Sequence, residues 1–227
     1  MGIGNYNLDV YVQPINEIKQ QVTRYYELFL KPLEINIMSL IEILNKTGEC
    51  VNFDLYALKT AGLIVNKYNK RITVNLCVNT LLLHRFYVYV YNELMNLNTD
   101  FSKIILEINE NTSIYSPNVY DNIVNLKRLG FKLALDDFTF SNNQLELISS
   151  IGIDMLKVDK SYLSDINKLL GIKYMIDGLN KDNVVTVIEG IETINHLYIA
   201  NKFNFRYVQG YLLGKPDRYD RYLTSNK

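Results

Sequence analysis

The chain has 227 residues, with 24 Lys and Arg balanced by 24 Asp and Glu, 48% hydrophobic residues, and 18 Tyr and 9 Phe but no Trp. Such a chain reads as one soluble globular domain, 1–227, that can bury roughly 70% of its unfolded surface without a disulfide or structural metal. Zero formal charge argues against a DNA-coating role, which needs a basic face to displace counterions from phosphates.

Cys50 and Cys77 lack CxxC spacing, which leaves no disulfide framework or zinc ribbon and suits reduced thiols in a cytoplasmic protein. The start of the chain lacks a basic region followed by an apolar run, and Tyr6 stands where a myristoylation signal wants Ser or Thr. The apolar stretch 81–90 is broken by His84 and Arg85 and falls short of the ~20 residues that span a bilayer. No membrane segment is expected.

In chain order, β-rich runs fall at 8–15 and 24–30, close enough together for an irregular hairpin, and then at 71–77, 103–108, 131–137, 154–159, 184–189 and 206–211. Helical patterns lie between them. Residues 54–68 and 193–203 are two, and 116–129 is the clearest: Ser116 can cap, Pro117 fits the first helical position, Val119, Ile123, Leu126 and Leu129 recur at helical spacing, and Gly130 stops it. The alternating Tyr87, Tyr89 and Tyr91 fit an amphipathic helix or an interface better than a base-stacking platform. Continuously apolar runs such as Ile104-Ile105-Leu106 suit parallel strands covered on both faces. Eight runs alternating with helices predict a (β/α)8 TIM-like barrel with an irregular N-terminal strand pair. An open doubly wound sheet is the alternative, weakened by the lack of a phosphate-binding glycine motif after any strand.

Oxygen ligands recur at the ends of these runs: Glu27, Asn75, Glu107, Asp136 with Asp137, Asp159 and Glu189. In a parallel barrel the strand C-termini share one face, so these side chains would converge and would need cations to stay ionised. With no Cys or His among them, the set favours Mg²⁺ or Mn²⁺, and the adjacent Asp136-Asp137 pair could bridge two ions. Lys157 shares a strand face with Asp159 and could hold the attacking water or a developing phosphate charge. Each acid taken alone, Asp159 and Glu27 above all, could instead be a helix cap. His84 and His196 have no partners spaced for chemistry.

The order and spacing of Glu27-Leu28-Phe29, Asn75, Glu107-Ile108-Asn109-Glu110, Asp136-Asp137-Phe138, Lys157-Val158-Asp159, Glu189-Gly190-Ile191-Glu192-Thr193 and Gln209-Gly210-Tyr211 are specific in combination. Together they resemble the EAL domain, the bacterial domain that hydrolyses cyclic di-GMP. The match runs from Val12-Gln13-Pro14-Ile15 to Leu213-Gly214-Lys215-Pro216, with no attached sensor or GGDEF domain, so the chain looks like a stand-alone EAL protein. By that resemblance Glu27, Asn75, Glu107 and Asp136 would hold one ion, and Asp136, Asp137 and Glu189 a second, with Mg²⁺ or Mn²⁺ supporting the reaction and Ca²⁺ inhibiting it. Glu189 would serve as general base, and Lys157 and Asp159 would position water. Gln13, Lys31, Gln209 and Pro216 would meet the substrate, and Glu110 would brace the neighbouring loop. The product would be linear pGpG, and the protein a homodimer.

Two departures from the family pattern stand out. Residues 139–145 read Thr-Phe-Ser-Asn-Asn-Gln-Leu where the family has Gly-x-Gly-Tyr-Ser-Ser-Leu, and a β-branched Thr139 resists any positive φ that a glycine held there. Lys31 replaces an Arg that grips a substrate phosphate, which keeps the charge but loses the two-pronged geometry. A second reading therefore stays open: a weak or inactive EAL protein that acts as a cyclic di-GMP receptor or binds a protein partner, such as a flagellar transcription regulator.

Overall fold

The computed structural model describes residues 2–3, 6–109, 112, 115–139 and 142–225. Strands β1 (Gly2–Ile3) and β2 (Tyr6–Glu17) open the chain, and a tight turn leads from β2 into β3 (Val22–Pro32). There follow α1 (Ile37–Thr47), α2 (Cys50–Tyr68), β4 (Arg71–Asn75), α3 (Val78–Leu81), α4 (Phe86–Leu94), β5 (Ile104–Ile108), α5 (Pro117–Arg128), β6 (Lys132–Leu135) and α6 (Asn142–Ser150). The chain then forms β7 (Met155–Val158), α7 (Ile166–Lys181), β8 (Val185–Ile188), α8 (Ile194–Lys202), β9 (Tyr207–Gln209), β10 (Asp217–Arg218) and α9 (Tyr219–Ser225).

Strands β3 to β9 run parallel, each beside the next, and β2 closes the ring by pairing antiparallel with both β3 and β9. The result is a closed eight-stranded α/β barrel whose N-terminal hairpin carries a register shift between Ile15 and Asn16. That irregularity is the expected one. The hairpin is longer than the two apolar runs suggest, because cross-strand pairing extends from Leu8 with Pro32 to Glu17 with Val22.

Ile15, Ile105, Ala134, Met155, Val185, Val187 and Tyr207 fill the barrel interior, with Tyr25 set edge-on to Tyr207 at 5.4 Å between ring centroids. The opposite strand faces pack on the helices in the larger core that includes Leu28, Val74, Leu106, Leu133, Leu156 and Ile188. Every position of β5 is buried, as a strand covered on both faces requires. Each fully buried Leu, Ile or Val contributes about 1.5–3 kcal/mol.

Local signals set the helix ends. Pro117 opens α5, Val119, Ile123 and Leu126 bury its inner face, and Gly130 at φ 108° breaks it. Ser116 occupies the cap position with extended backbone, yet its side chain makes no capping hydrogen bond. Thr193 does cap α8, accepting from the His196 N–H, while His196 Nδ1 accepts from the Glu192 N–H. This reciprocal cap gives His196 a local structural role. No helix among the described residues is long and apolar enough to cross a membrane.

Candidate active site

The period of two along each strand builds the site. Ile105 on β5, Met155 on β7, Val187 on β8 and Tyr207 on β9 fill the barrel interior, and two residues later on the same faces come Glu107, Lys157, Glu189 and Gln209. On β3 the same alternation runs Tyr25, Glu27, Phe29. An apolar plug thus lies beneath a polar mouth at the C-terminal end of the parallel strands, where a cavity of about 420 Å³ is lined by Gln13, Glu27, Asp136, Lys157, Glu189 and Gln209, among others.

Lys157 is the hub. Its side chain is 1% exposed, and Nζ lies 2.8 Å from Glu107 Oε2, 2.8 Å from Glu189 Oε1, 3.2 Å from Glu27 Oε2 and 3.3 Å from Asp136 Oδ1. Four carboxylates therefore share three ammonium protons. Burial alone would lower the Lys157 pKa, but the four negative neighbours outweigh it and hold the ammonium well above its ordinary range. For the acids burial wins. Burial, reinforced by Glu27, pushes Glu107 well above its usual value against the pull of Lys157. Burial likewise raises Asp136, and raises Glu189 to about 7.

The residues fit divalent cations. Asp136, Asp137 and Glu189 each bring a carboxylate oxygen within 4.8 Å of the others. Glu107 Oε1 is buried and receives no hydrogen bond, and Asp136 Oδ1 is buried with the shared Lys157 ammonium at 3.3 Å, so lone pairs remain for an ion. The donor set is all oxygen, which selects a hard cation.

The sequence-derived residues take distinct places. Asn75 ends β4, and its Nδ2 donates to Glu27 Oε1 at 2.9 Å. Glu27 does not end its strand: β3 continues to Pro32, because beyond the barrel it still pairs with β2 as a hairpin arm. Gln209 Nε2 donates to Glu27 Oε2 at 2.7 Å and to Gln13 Oε1 at 3.2 Å, and Gln13 Nε2 donates to the Gly214 carbonyl at 3.0 Å. Pro216 is half-buried just before β10, which pairs with β2 at Asp217 and Val12, beside Gln13. Asp159 borders the cavity and also caps the short 3-10 helix Lys160–Ser164, accepting from the Ser161 N–H at 2.8 Å. Burial raises its carboxyl, but the Ser161 hydrogen bonds win and leave it below the ordinary range.

Lys31 stands farther out on β3, its Nζ 5.3 Å from the centroid of the Tyr11 ring. Glu110 lies outside the described residues. After Asp136-Asp137, among the described residues, the positive φ belongs to Asp137 at 48° and not to Thr139, so the β-branched side chain imposes no strain there. Sequence patterning missed Gln144, which is 2% exposed and reaches back to this segment. A lone amide in the first turn of α6 carries no periodic signal, and only the loop's path reveals its partners.

The EAL domain family matches residues 2–216. The cyclic di-GMP phosphodiesterase TpdA of Vibrio parahaemolyticus is 30% identical over 211 residues, covering 88% of this chain and 35% of that protein. The cyclic di-GMP phosphodiesterase PdeA of Borreliella burgdorferi is 27% identical over 226 residues, covering 92% of this chain and 33% of that protein. The chain thus spans about a third of the length of these relatives. In fold it is similar to a standalone EAL protein from Vibrio cholerae solved with bound cyclic di-GMP, at a TM-score of 0.78 and 21% identity over 93% of each chain. With its barrel, its converging acids and its near full-length match, the chain belongs to the EAL domain family.

Proposed function

We propose that the protein is a metal-dependent phosphodiesterase that opens cyclic di-GMP to linear pGpG. The observation that carries this reading is the gathering of Asp136, Asp137 and Glu189 beside the Lys157 cluster at one mouth of the barrel. Glu27, Asn75, Glu107 and Asp136 would hold one Mg²⁺ or Mn²⁺ ion, and Asp136, Asp137 and Glu189 a second. When bound, the ions acidify a water and offset charge on the reacting phosphodiester.

The chain's own residues do the rest. Glu189 is assigned as the base that takes a proton from the attacking water, since it borders the cavity beside Asp136 and Asp137. Asp159 borders the same cavity and, with Lys157, is assigned to orienting that water. Lys157 also holds Glu27 and Glu107 in place by hydrogen bonds at 3.2 and 2.8 Å, so that the ligand set is organised before an ion enters. Gln13 and Gln209 line the cavity and are assigned as substrate contacts, together with Pro216, which lies just before β10 near Gln13, and Lys31, two residues beyond the cavity-lining Phe29 on β3.

The test is to incubate purified protein with cyclic di-GMP and Mg²⁺ or Mn²⁺ and follow pGpG by chromatography, with a chelator control and Glu189→Gln alongside. Release of pGpG that needs metal and Glu189 supports the reading. No pGpG under any metal condition from folded protein overturns it, and tight binding in Ca²⁺ without turnover would mark a receptor instead.

A further inference from the structure

The segment that carries the aspartate pair is pinned on both sides of Asp137. The Asp136 N–H donates to the Ile108 carbonyl on β5 at 2.9 Å, and the Phe138 N–H donates to the Lys157 carbonyl on β7 at 3.2 Å, with the Phe138 ring fully buried. Between these pins Asp137 takes a left-handed backbone at φ 48°, a conformation that L residues adopt reluctantly. From α6, Gln144 reaches back across it. Its Nε2 donates to the Asp137 carbonyl at 3.2 Å, while its Oε1 accepts from the Thr139 N–H at 2.9 Å and from the Thr139 hydroxyl at 3.2 Å. Both ends of one buried amide are used, so its orientation is determined by the partners on each side.

From this geometry we infer that Gln144 is a positioning residue for the proposed metal centre. By clamping the peptide units on both sides of Phe138, it holds Asp137 in the left-handed conformation that keeps its carboxylate beside Asp136 and Glu189. This chain thereby holds its loop with a side-chain amide where the sequence offers no glycine. The inference rests on the phosphodiesterase reading, since it assigns Asp137 to an ion.

The test uses Gln144→Leu, which keeps the volume and removes both hydrogen-bonding ends, and Gln144→Glu, which keeps an acceptor for Thr139 but sets a carboxylate oxygen against the Asp137 carbonyl. Mn²⁺ affinity is read by calorimetry in the absence of substrate, and amide exchange of Thr139 by NMR. Gln144→Leu is expected to weaken Mn²⁺ binding about 10–100-fold, as loss of a group that orients a metal ligand does, and to speed exchange at Thr139. Gln144→Glu is expected to weaken Mn²⁺ binding while leaving Thr139 protected, a split that general loosening of α6 would not produce. It also serves if the leucine variant does not fold. Wild-type Mn²⁺ affinity in both folded variants overturns the positioning role while leaving the phosphodiesterase reading intact. A wild-type protein that binds no divalent ion overturns both.

Discussion

Lys157 Nζ and Glu107 Oε2 lie 2.8 Å apart with both side chains closed off from water. A buried pair of this kind gains little over an apolar pair, but removing one partner strands the other, at a cost of about 3–5 kcal/mol. In Lys157→Met the stranded charges would include Glu27, Asp136 and Glu189 as well. The variant is therefore expected to lose about 3–5 kcal/mol in urea unfolding with chelator present, to recover part of it in Mn²⁺, and to release no measurable pGpG. Equal urea midpoints for variant and wild type would show that the carboxylates do not depend on this ammonium.

The same acids set the pH dependence of the metal-free protein. Glu107, Asp136 and Glu189 have folded-state pKa values raised above those of the unfolded chain, Glu189 to about 7. The folded state then binds more protons than the unfolded state in this window, so stability is greatest below the unfolded carboxylate pKa values and falls as pH rises toward about 7. Lys157 titrates far above this range and does not offset the trend. In chelator the thermal midpoint is expected to be lower at pH 8 than at pH 5.5, and added Mg²⁺ or Mn²⁺ to raise it more at pH 8. A chelated midpoint that climbs with pH would refute the acid cluster as the cause.

How much of this is legible in the sequence depends on what each residue's role needs. Runs such as Ile104-Ile105-Leu106 mark themselves as doubly covered strands, and Pro117 with Gly130 brackets α5 without tertiary help. The convergence of Glu107, Asp136 and Glu189 follows from strand ends sharing a barrel mouth, while Glu27 reaches the same mouth from inside the longer β3. That Lys157 points into that cluster and is shared by four acids depends on barrel closure, which brings β3, β5, β6, β7 and β8 together and which no local spacing encodes. Of the two readings the sequence offers for Asp159, the structure shows the cap, one carboxylate oxygen taking the Ser161 N–H, and its place at the cavity edge is what supports the water-orienting role proposed for it.

Asp54 is fully buried on α2, away from the Lys157 cluster, and its Oδ2 accepts the Cys77 N–H at 2.9 Å. Burial raises it to about 7. Its charge is thus a liability above neutral pH, and the folded state is favoured as pH falls toward the unfolded value. Asp54→Asn keeps an acceptor for Cys77 and carries no charge, so its stability relative to wild type should rise from pH 4 to pH 8, by at most about 4 kcal/mol at 1.36 kcal/mol per pKa unit. Urea unfolding at both pH values checks this, and a constant difference would show that Asp54 titrates normally. Asp54→Leu is expected to destabilise at both, because the Cys77 N–H loses its partner.

Two glycines give opposite expectations. A Cβ at Gly210, just past Gln209, would lie 2.2 Å from both Ile191 N and Ile191 O, so Gly210→Ala must push two backbone segments apart next to the site. Gly178 lies within α7 and a Cβ there meets nothing within 4 Å, so Gly178→Ala removes only backbone freedom. The first is expected to lower the thermal midpoint and disturb metal binding, and the second to stabilise by about 0.4–1 kcal/mol. Thermal unfolding of the pair decides it, and a neutral Gly210→Ala would mean the close approach at Ile191 is not required.

Lys31 completes the face of β3 that carries Glu27 and Phe29, one alternation farther out, where it pairs across the hairpin with Asp9 and sits over the Tyr11 ring. A phosphate reaching this end of β3 would meet a point charge on a flexible stem, whereas a guanidinium would offer two parallel donors and could still stack on Tyr11. Lys31→Arg should therefore tighten cyclic di-GMP binding in Ca²⁺ about 5–10-fold, close to 1.4 kcal/mol at the upper end, and lower KM by a similar factor. Because the residue stands away from Glu189 and the Asp136-Asp137 pair, kcat should stay within about twofold, as expected for a contact made equally in ground and transition states. An unchanged Kd would mean that Lys31 does not touch a substrate phosphate, and a changed kcat with constant Kd would place its influence on the chemistry at the acids instead.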